Sequence, residues 1–278
     1  MNIGLALGSG GARGLAHILI LEVFEEMGLQ PTIISGCSVG AVIGSAFATG
    51  LTAKELREIV DEVVFQKNSK FWEIHRRSDL IKLLDFIDPS LIKPGGIIKG
   101  DKFINFINDK LKVENFEDLK IPMKIVATDY WNKDQVILES GKLLPAIKAS
   151  YSIPGLFMPV RLNKRLLIDG GMVNPLPYDI IQKETDITVA IDVTAPKSKM
   201  EDMIPSAHEL LFSTYQIMQK SIIAGKLKFS KPDILIRTNI NGIRVHDFMK
   251  AELIYKQATP CKDKLKRKLD SILSKVET

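Results

Sequence analysis

Cysteine is nearly absent from this sequence. Cys37 and Cys261 are the only two in 278 residues, too few for a disulfide framework or for a four-ligand zinc site with companions at the usual spacing. A reducing compartment is the expectation. The first residues, Met1 to Leu7, lack the basic and long apolar segments of a secretory leader. The longest stretch without a charge, 27–53, is interrupted by Pro31 and by five glycines, so it does not read as a membrane-spanning helix. Neither an internal repeat nor a low-complexity linker is present. The net charge of +5 is a mild excess, well short of a dedicated nucleic-acid binder. These absences lead to the expectation of a cytoplasmic protein, at most peripheral to a membrane, with no nucleic-acid partner.

What is present is a globular composition, 45% hydrophobic and 26% charged, which excludes global disorder. The apolar run 2–7 meets Gly8-Ser9-Gly10-Gly11-Ala12-Arg13-Gly14, after which Leu15, Ile18, Leu19, Val23 and Met27 recur at helical spacing. The unit repeats: Thr32-Ile33-Ile34 reads as a strand, Gly36-Cys37-Ser38-Val39-Gly40 as a turn, and 41–49 as a helix. Helical patterns then dominate 52–111, with Thr52 as N-cap of a helix over 53–64, a second helix over 80–86, a loop at Pro94-Gly95-Gly96, and a third helix capped by Asp101. This section reads as a helical layer or lid, in which Phe65, Phe71 and Trp72 form either an apolar rim at a site mouth or part of the core. Strand signals return at 123–128, 135–138, 166–168, 187–193 and 233–237, with helices over 143–150, 207–224 and from Asp247 onward. The alternation predicts a single α/β domain over 1–278, with its core at about 3–195, a helical section at about 52–111 and a C-terminal helical extension at about 205–278.

Two glycine-rich turns and one Asp-Gly-Gly carry the chemistry. Gly36-Cys37-Ser38-Val39-Gly40 matches G-x-S-x-G, a nucleophile elbow, in which a serine on a strained strand-to-helix turn projects its hydroxyl from the sheet edge. The competing reading is an ordinary tight turn with a serine cap. The turn at 8–14 fails as a dinucleotide fingerprint, because Arg13 stands where the third small residue belongs, and it lacks the Gly-Lys-Ser/Thr of a phosphate loop. It leaves free backbone N–H groups at a helix N-terminus, an anion site suited to the oxyanion of acyl transfer. Asp169-Gly170-Gly171 follows the apolar run Leu166-Leu167-Ile168 and places a carboxylate at a strand end, with a plain Asp-Gly turn as the alternative. Among His17, His75, His208 and His246, only the last two follow this acid in the usual Ser, Asp, His order, and neither sits in turn chemistry.

Taken in order, these pieces resemble the patatin-like phospholipases, particularly the bacterial members and the neuropathy target esterase branch. Gly10-Gly11-Ala12-Arg13-Gly14-Leu15-Ala16-His17 is similar to the family's Gly-rich oxyanion block, and Gly36 to Gly40 to its nucleophile block. Ala149-Ser150-Tyr151-Ser152-Ile153-Pro154 is similar to its Ala-Ser block, and Asp169-Gly170-Gly171 to its Asp-Gly-Gly/Ala block. Ser9 departs from the pattern, standing where the family usually has its first glycine; a positive φ there would be strained. The resemblance implies a three-layer α/β/α fold with a mostly parallel sheet and a serine elbow. It also implies a Ser38–Asp169 dyad without histidine, oxyanion donors on Gly10, Gly11 and Ala12, and support from Gly8, Arg13, Gly14, Gly36, Gly40, Gly170 and Gly171. No metal and no cofactor is required, and the partner is a lipid or other acyl ester. Burial of Asp169 would raise its proton affinity and improve it as a base. Arg13 either holds the Gly-rich loop or contacts a lipid phosphate.

Three alternatives stay open. One is a Ser-Asp-His esterase using His208 or His246, one a lipid- or phosphate-binding module without turnover, and one a regulatory role. Peripheral membrane contact rests on the basic amphipathic C-terminus, where Lys262, Lys264, Lys266, Arg267, Lys268 and Lys275 flank Leu265, Leu269, Ile272 and Leu273. The competing reading packs that helix on the sheet and turns its lysines to water.

Overall fold

The computed structural model describes residues 1–68, 89–93, 96–98, 101–194, 196, 204 and 207–276. The expected helix at 80–86, with His75, Phe71 and Trp72, lies outside them, as does the side chain of Phe65.

The two opening units fold as read. Strand β1 (Ile3–Leu7) leads through the Gly-rich turn into α1 (Ala16–Glu26), and β2 (Ile33–Cys37) leads through Ser38 into α2 (Val39–Ala48). Helix α3 (Ala53–Asn68) starts at a capping box, in which the Glu55 N–H donates to Thr52 Oγ1 at 3.2 Å and the Thr52 N–H to Glu55 Oε2 at 2.8 Å. A hairpin of β3 (Pro89–Lys93) and β4 (Gly96–Ile98) then stands where the sequence reads only a loop. After α4 (Asp101–Leu111) come β5 (Met123–Asp129), β6 (Asp134–Leu138) and α5 (Leu143–Tyr151). They are followed by β7 (Val160–Leu162), β8 (Arg165–Asp169), β9 (Ile187–Asp192), α6 (Ala207–Phe229), β10 (Ile234–Arg237) and α7 (Ala251–Val276). Strand β7 carries no sequence signal of its own. It joins β8 through Asn163 and Lys164, both at positive φ (49° and 62°), a two-residue hairpin turn formed without glycine.

The main sheet runs β10-β9-β1-β2-β5-β8-β7, with β6 also on β5. Its β10, β9, β1, β2 and β5 are parallel neighbours, whereas β6 and β8 run antiparallel to β5. Both faces are covered. Ile3, Leu5 and Leu7 of β1 join Ile34, Val189 and Ile191 in a large core with α1, α2, α5 and α7, while Ala6, Ile33 and Ala190 meet Leu176, Tyr178, Ile181 and Ile223 of α6 on the other side. Burial on both faces is why these strands read as unbroken apolar runs. Helix α7 belongs to the first layer. Its Ile254, Ala258, Cys261, Leu265 and Leu269, spaced three or four apart, are buried together with Tyr255, and Lys262 reaches Glu22 and Glu26 of α1 at 2.7 and 2.8 Å. Lys266 also pairs with Glu26. The C-terminal helix therefore spends its apolar face and two of its basic side chains on the protein itself. Of the two readings of this helix, the packed one matches these contacts.

One register detail positions everything that follows. Strand β6 pairs with 125–129 of β5 along one edge. The other edge is shared: β2 takes 123–126, with Cys37 opposite Val126, and β8 takes 127–129, with Asp169 opposite Ala127. The C-terminal ends of β2 and β8 thus meet head-on at adjacent rungs of a single strand.

Candidate active site

Ser38 follows β2 at φ 55° and ψ −122°, a backbone conformation that costs a non-glycine residue on the order of 1 to 2 kcal/mol. The elbow is held by close packing. A Cβ on Gly40 would overlap the Leu7 carbonyl oxygen, and one on Gly14 would overlap the Val39 side chain, so α2 begins pressed on the end of β1 and on the Gly-rich turn. Gly36 sits within β2, opposite Leu7. From this turn Ser38 Oγ donates to Asp169 Oδ2 at 2.9 Å.

Asp169 is fully buried, and burial pushes its carboxyl up to about 6 against the bonds from Tyr215, Gly171 and Ser38 that favour the ionised form. Its Oδ1 accepts from the Gly171 N–H and the Tyr215 hydroxyl, each at 2.7 Å, which leaves Oδ2 for Ser38. Gly170 lies so tightly on β5 that a Cβ there would overlap the Val126 carbonyl oxygen. Ser150 ties the parts together. Its hydroxyl donates to Val126 O at 2.6 Å and accepts the Ser38 N–H at 2.9 Å, while the Ser152 carbonyl accepts the Asp169 N–H at 2.9 Å.

The Gly-rich turn closes the site from the β1 side. The Gly8 N–H donates to Ile191 O at 3.1 Å, the Ser9 N–H to Pro175 O at 2.8 Å and the Ala12 N–H to Val245 O at 2.8 Å. Ala12 is thereby removed from the three expected oxyanion donors, because its N–H is already spent. The N–H groups of Gly10 and Gly11 take no partner among the described residues. Arg13 is buried and anchors this turn: Nε donates to Val193 O at 3.3 Å and Nη1 to Ile243 O at 2.5 Å. Desolvation lowers its guanidinium to about 10, and of its two readings the loop-holding one matches these bonds. Ser9, the departure from the family pattern, does not adopt a positive φ. Its Oγ instead accepts from Gln219 Nε2 at 2.8 Å.

No described histidine stands between Ser38 and Asp169. His17 is buried with Nε2 2.8 Å from Gly8 O, and desolvation lowers it to about 4. His246 lies 3.9 Å from Asp247, and the side chain of His208 is outside the described set. Sequence reasoning missed Tyr215 and Gln219, one turn apart on α6, because neither belongs to a local motif. Their spacing on one face of an amphipathic helix is the only signal they carry. Among the described residues no cluster of histidine, cysteine or carboxylate side chains is suited to a metal, and no helix is long and apolar enough to cross a membrane.

Comparison with known proteins gives a family. A family model described as patatin-like phospholipase matches residues 5–181, which include Ser38 and Asp169. The uncharacterized NTE family protein Rv1063c of Mycobacterium tuberculosis is 35% identical over 198 residues, 71% of this chain and 50% of that protein. The patatin-like phospholipase domain-containing protein 7 of Rattus norvegicus is 31% identical over 194 residues, 69% of this chain and 13% of that protein. The chain spans about half the length of Rv1063c and of its two equally similar mycobacterial counterparts, and about a third of three further mycobacterial relatives. In fold it is similar to VipD from Legionella pneumophila, with a TM-score of 0.51 at 14% identity, covering 95% of this chain and 66% of that one. With the family model covering more than half its length and relatives above 30% identity along two thirds of it, the chain belongs to the patatin-like phospholipase family.

Proposed function

We propose that this protein is a serine lipid acyl hydrolase that cleaves carboxylic esters of phospholipids, lysophospholipids or related lipids through Ser38 and Asp169. The observation that carries the reading is the direct 2.9 Å bond between Ser38 Oγ and a fully buried carboxylate. Ser38 Oγ attacks the ester carbonyl carbon while its proton passes to Asp169 Oδ2, and the carbonyl oxygen becomes an oxyanion facing the N–H groups of Gly10 and Gly11, which take no partner among the described residues. Collapse of the tetrahedral adduct breaks the ester C–O bond, and Asp169 returns its proton to the departing alcohol. Water then attacks the acyl-enzyme, giving its proton to Asp169, and the carboxylic acid leaves as Ser38 is re-protonated.

Two features suit Asp169 to this role. A carboxyl at about 6 is a stronger base than an ordinary aspartate yet is largely ionised at neutral pH. The Gly171 N–H on Oδ1 fixes which oxygen faces the serine, and Tyr215 adds a second donor there while α6 covers the site.

The test is hydrolysis of a short-to-long p-nitrophenyl ester series, with fluorophosphonate labelling in parallel. Ser38→Ala is expected to lose both turnover and label, and Asp169→Asn to lose turnover by roughly 10⁴-fold, with the fold of each retained. Wild-type turnover in either variant would overturn the assignment.

A further inference from the structure

Resting on that reading, the structure also shows why the site is shut. The cavity at Ser38 holds about 10 Å³ and is bounded by Ser9, Gly10, Gly11, Ile153, Tyr215 and Gln219, room for roughly one water and none for an acyl chain. Helix α6 closes it. Tyr215 and Gln219 bind Asp169 and Ser9, and Phe212 packs on a small apolar cluster of Ile153, Leu156 and Val245, separate from the main core. The far end of the helix is fixed more firmly, with Ile223 in the Leu176–Tyr178–Ile181 core and Lys226 Nζ on Asn174 Oδ1 at 2.6 Å, on Leu176 O at 2.8 Å and on Asp179.

Among the described residues nothing covers the opposite face of the same helix, which is apolar. Leu210, Leu211, Ile217 and Met218 are 49%, 60%, 63% and 43% exposed. The pairs 210/217 and 211/218 are seven residues apart, so the four form one stripe two turns long. From Leu210 to Pro232 the sequence has no acidic residue; Lys226 is spent on the core, which leaves Lys220, Lys228 and Lys231, and Glu209, just before the stripe, is paired with Arg244. An apolar stripe beside lysines, with the neighbouring Glu209 held by Arg244, is complementary to the surface of an anionic lipid aggregate, which offers hydrocarbon and negative charge together.

We propose that α6 is an interfacial gate. Its outer stripe docks on anionic lipid, and docking draws the Phe212–Gln219 turns off Ser38 and Asp169 while the Ile223–Lys226 end holds the helix to the core. Ser9 acts here as the latch for Gln219 on the closed side.

The experiment follows the rate at which a small soluble fluorophosphonate labels Ser38 in the full chain, in buffer and on vesicles of equal phosphatidylcholine and phosphatidylglycerol. Vesicles are expected to raise the wild-type rate roughly tenfold. The triple variant L211S/I217S/M218S, altered only on the outer face, is expected to keep its melting temperature and to lose that ratio. Gln219→Ala is expected to label faster in buffer alone. Labelling at the same rate with and without vesicles would overturn the gate and leave the Ser38 assignment standing, whereas no labelling under either condition would overturn both. A triple variant that keeps the vesicle effect but changes oligomeric mass would show that a second copy covers the stripe, and would also overturn the proposal.

Discussion

Ser38 and Asp169 each hold a geometry that neither would choose alone, and the consequences are measurable at those two residues. In the proposed mechanism Asp169 is a base only when ionised, so kcat/KM is expected to rise with pH and level off above an inflection near 6, where burial sets its carboxyl. The Tyr215 bond favours the ionised form. Tyr215→Phe should therefore move the inflection upward, a shift that a merely structural tyrosine would not produce; an unmoved profile would remove Tyr215 from the site. Stability runs the other way. A carboxyl at about 6 in the native chain against 3.8 unfolded binds its proton more tightly when folded. Its contribution is fully present below about 3.8 and is lost as pH rises through about 6, which costs on the order of 3 kcal/mol at neutral pH. Asp169→Asn is expected to melt higher than wild type at pH 7.5, with the difference closing toward pH 4. A variant that melts lower at both would contradict the burial of the charge.

Elements brought the two residues together, and here the sequence was legible only in part. The elbow could be read because glycine on both sides of Ser38 and an apolar run before it leave few other structures. Asp169 could be read as a strand end, since Leu166-Leu167-Ile168 precedes it. That the two strand ends abut on β5 could not be read, because register along β5 is set by the β7–β8 hairpin, whose Asn163-Lys164 turn carries no glycine, and by β6 on the far edge. Tyr215 was invisible for a related reason: its partner is 46 residues away, and only the docking of α6 across the sheet joins them. Ala12 looked like a free donor because nothing local announces the Val245 carbonyl. The head-on junction is sensitive to crowding. Gly170→Ala would drive a methyl group into the Val126 carbonyl, with a destabilisation of roughly 3 kcal/mol or more, seen as a lower urea midpoint. A neutral result would mean the junction is looser than described.

At the scale of the whole molecule, the site depends on residues from both ends of the chain. Helix α7 lies against α1 and places Ile254, Tyr255, Ala258, Leu265 and Leu269 in the main core. A chain ending at residue 250 would expose them, a loss on the order of 10 kcal/mol against a typical total stability of about 5 to 15 kcal/mol. Such a chain is expected to be insoluble or to show no cooperative melting transition; a soluble, cooperatively melting product would show that α7 is dispensable. The Gly-rich turn is likewise pinned from the far end, Arg13 by Ile243 and Ala12 by Val245. That arrangement sets an order in time. Ribosomes work from the N-terminus at roughly 5 to 20 residues per second, so Ser38 and Asp169 are made first, Tyr215 next, and Ile243 and Val245 after it. The loop bearing Gly10 and Gly11 receives its last anchors only once the helix that covers it has been synthesised, and no stage of the growing chain presents the site both finished and open.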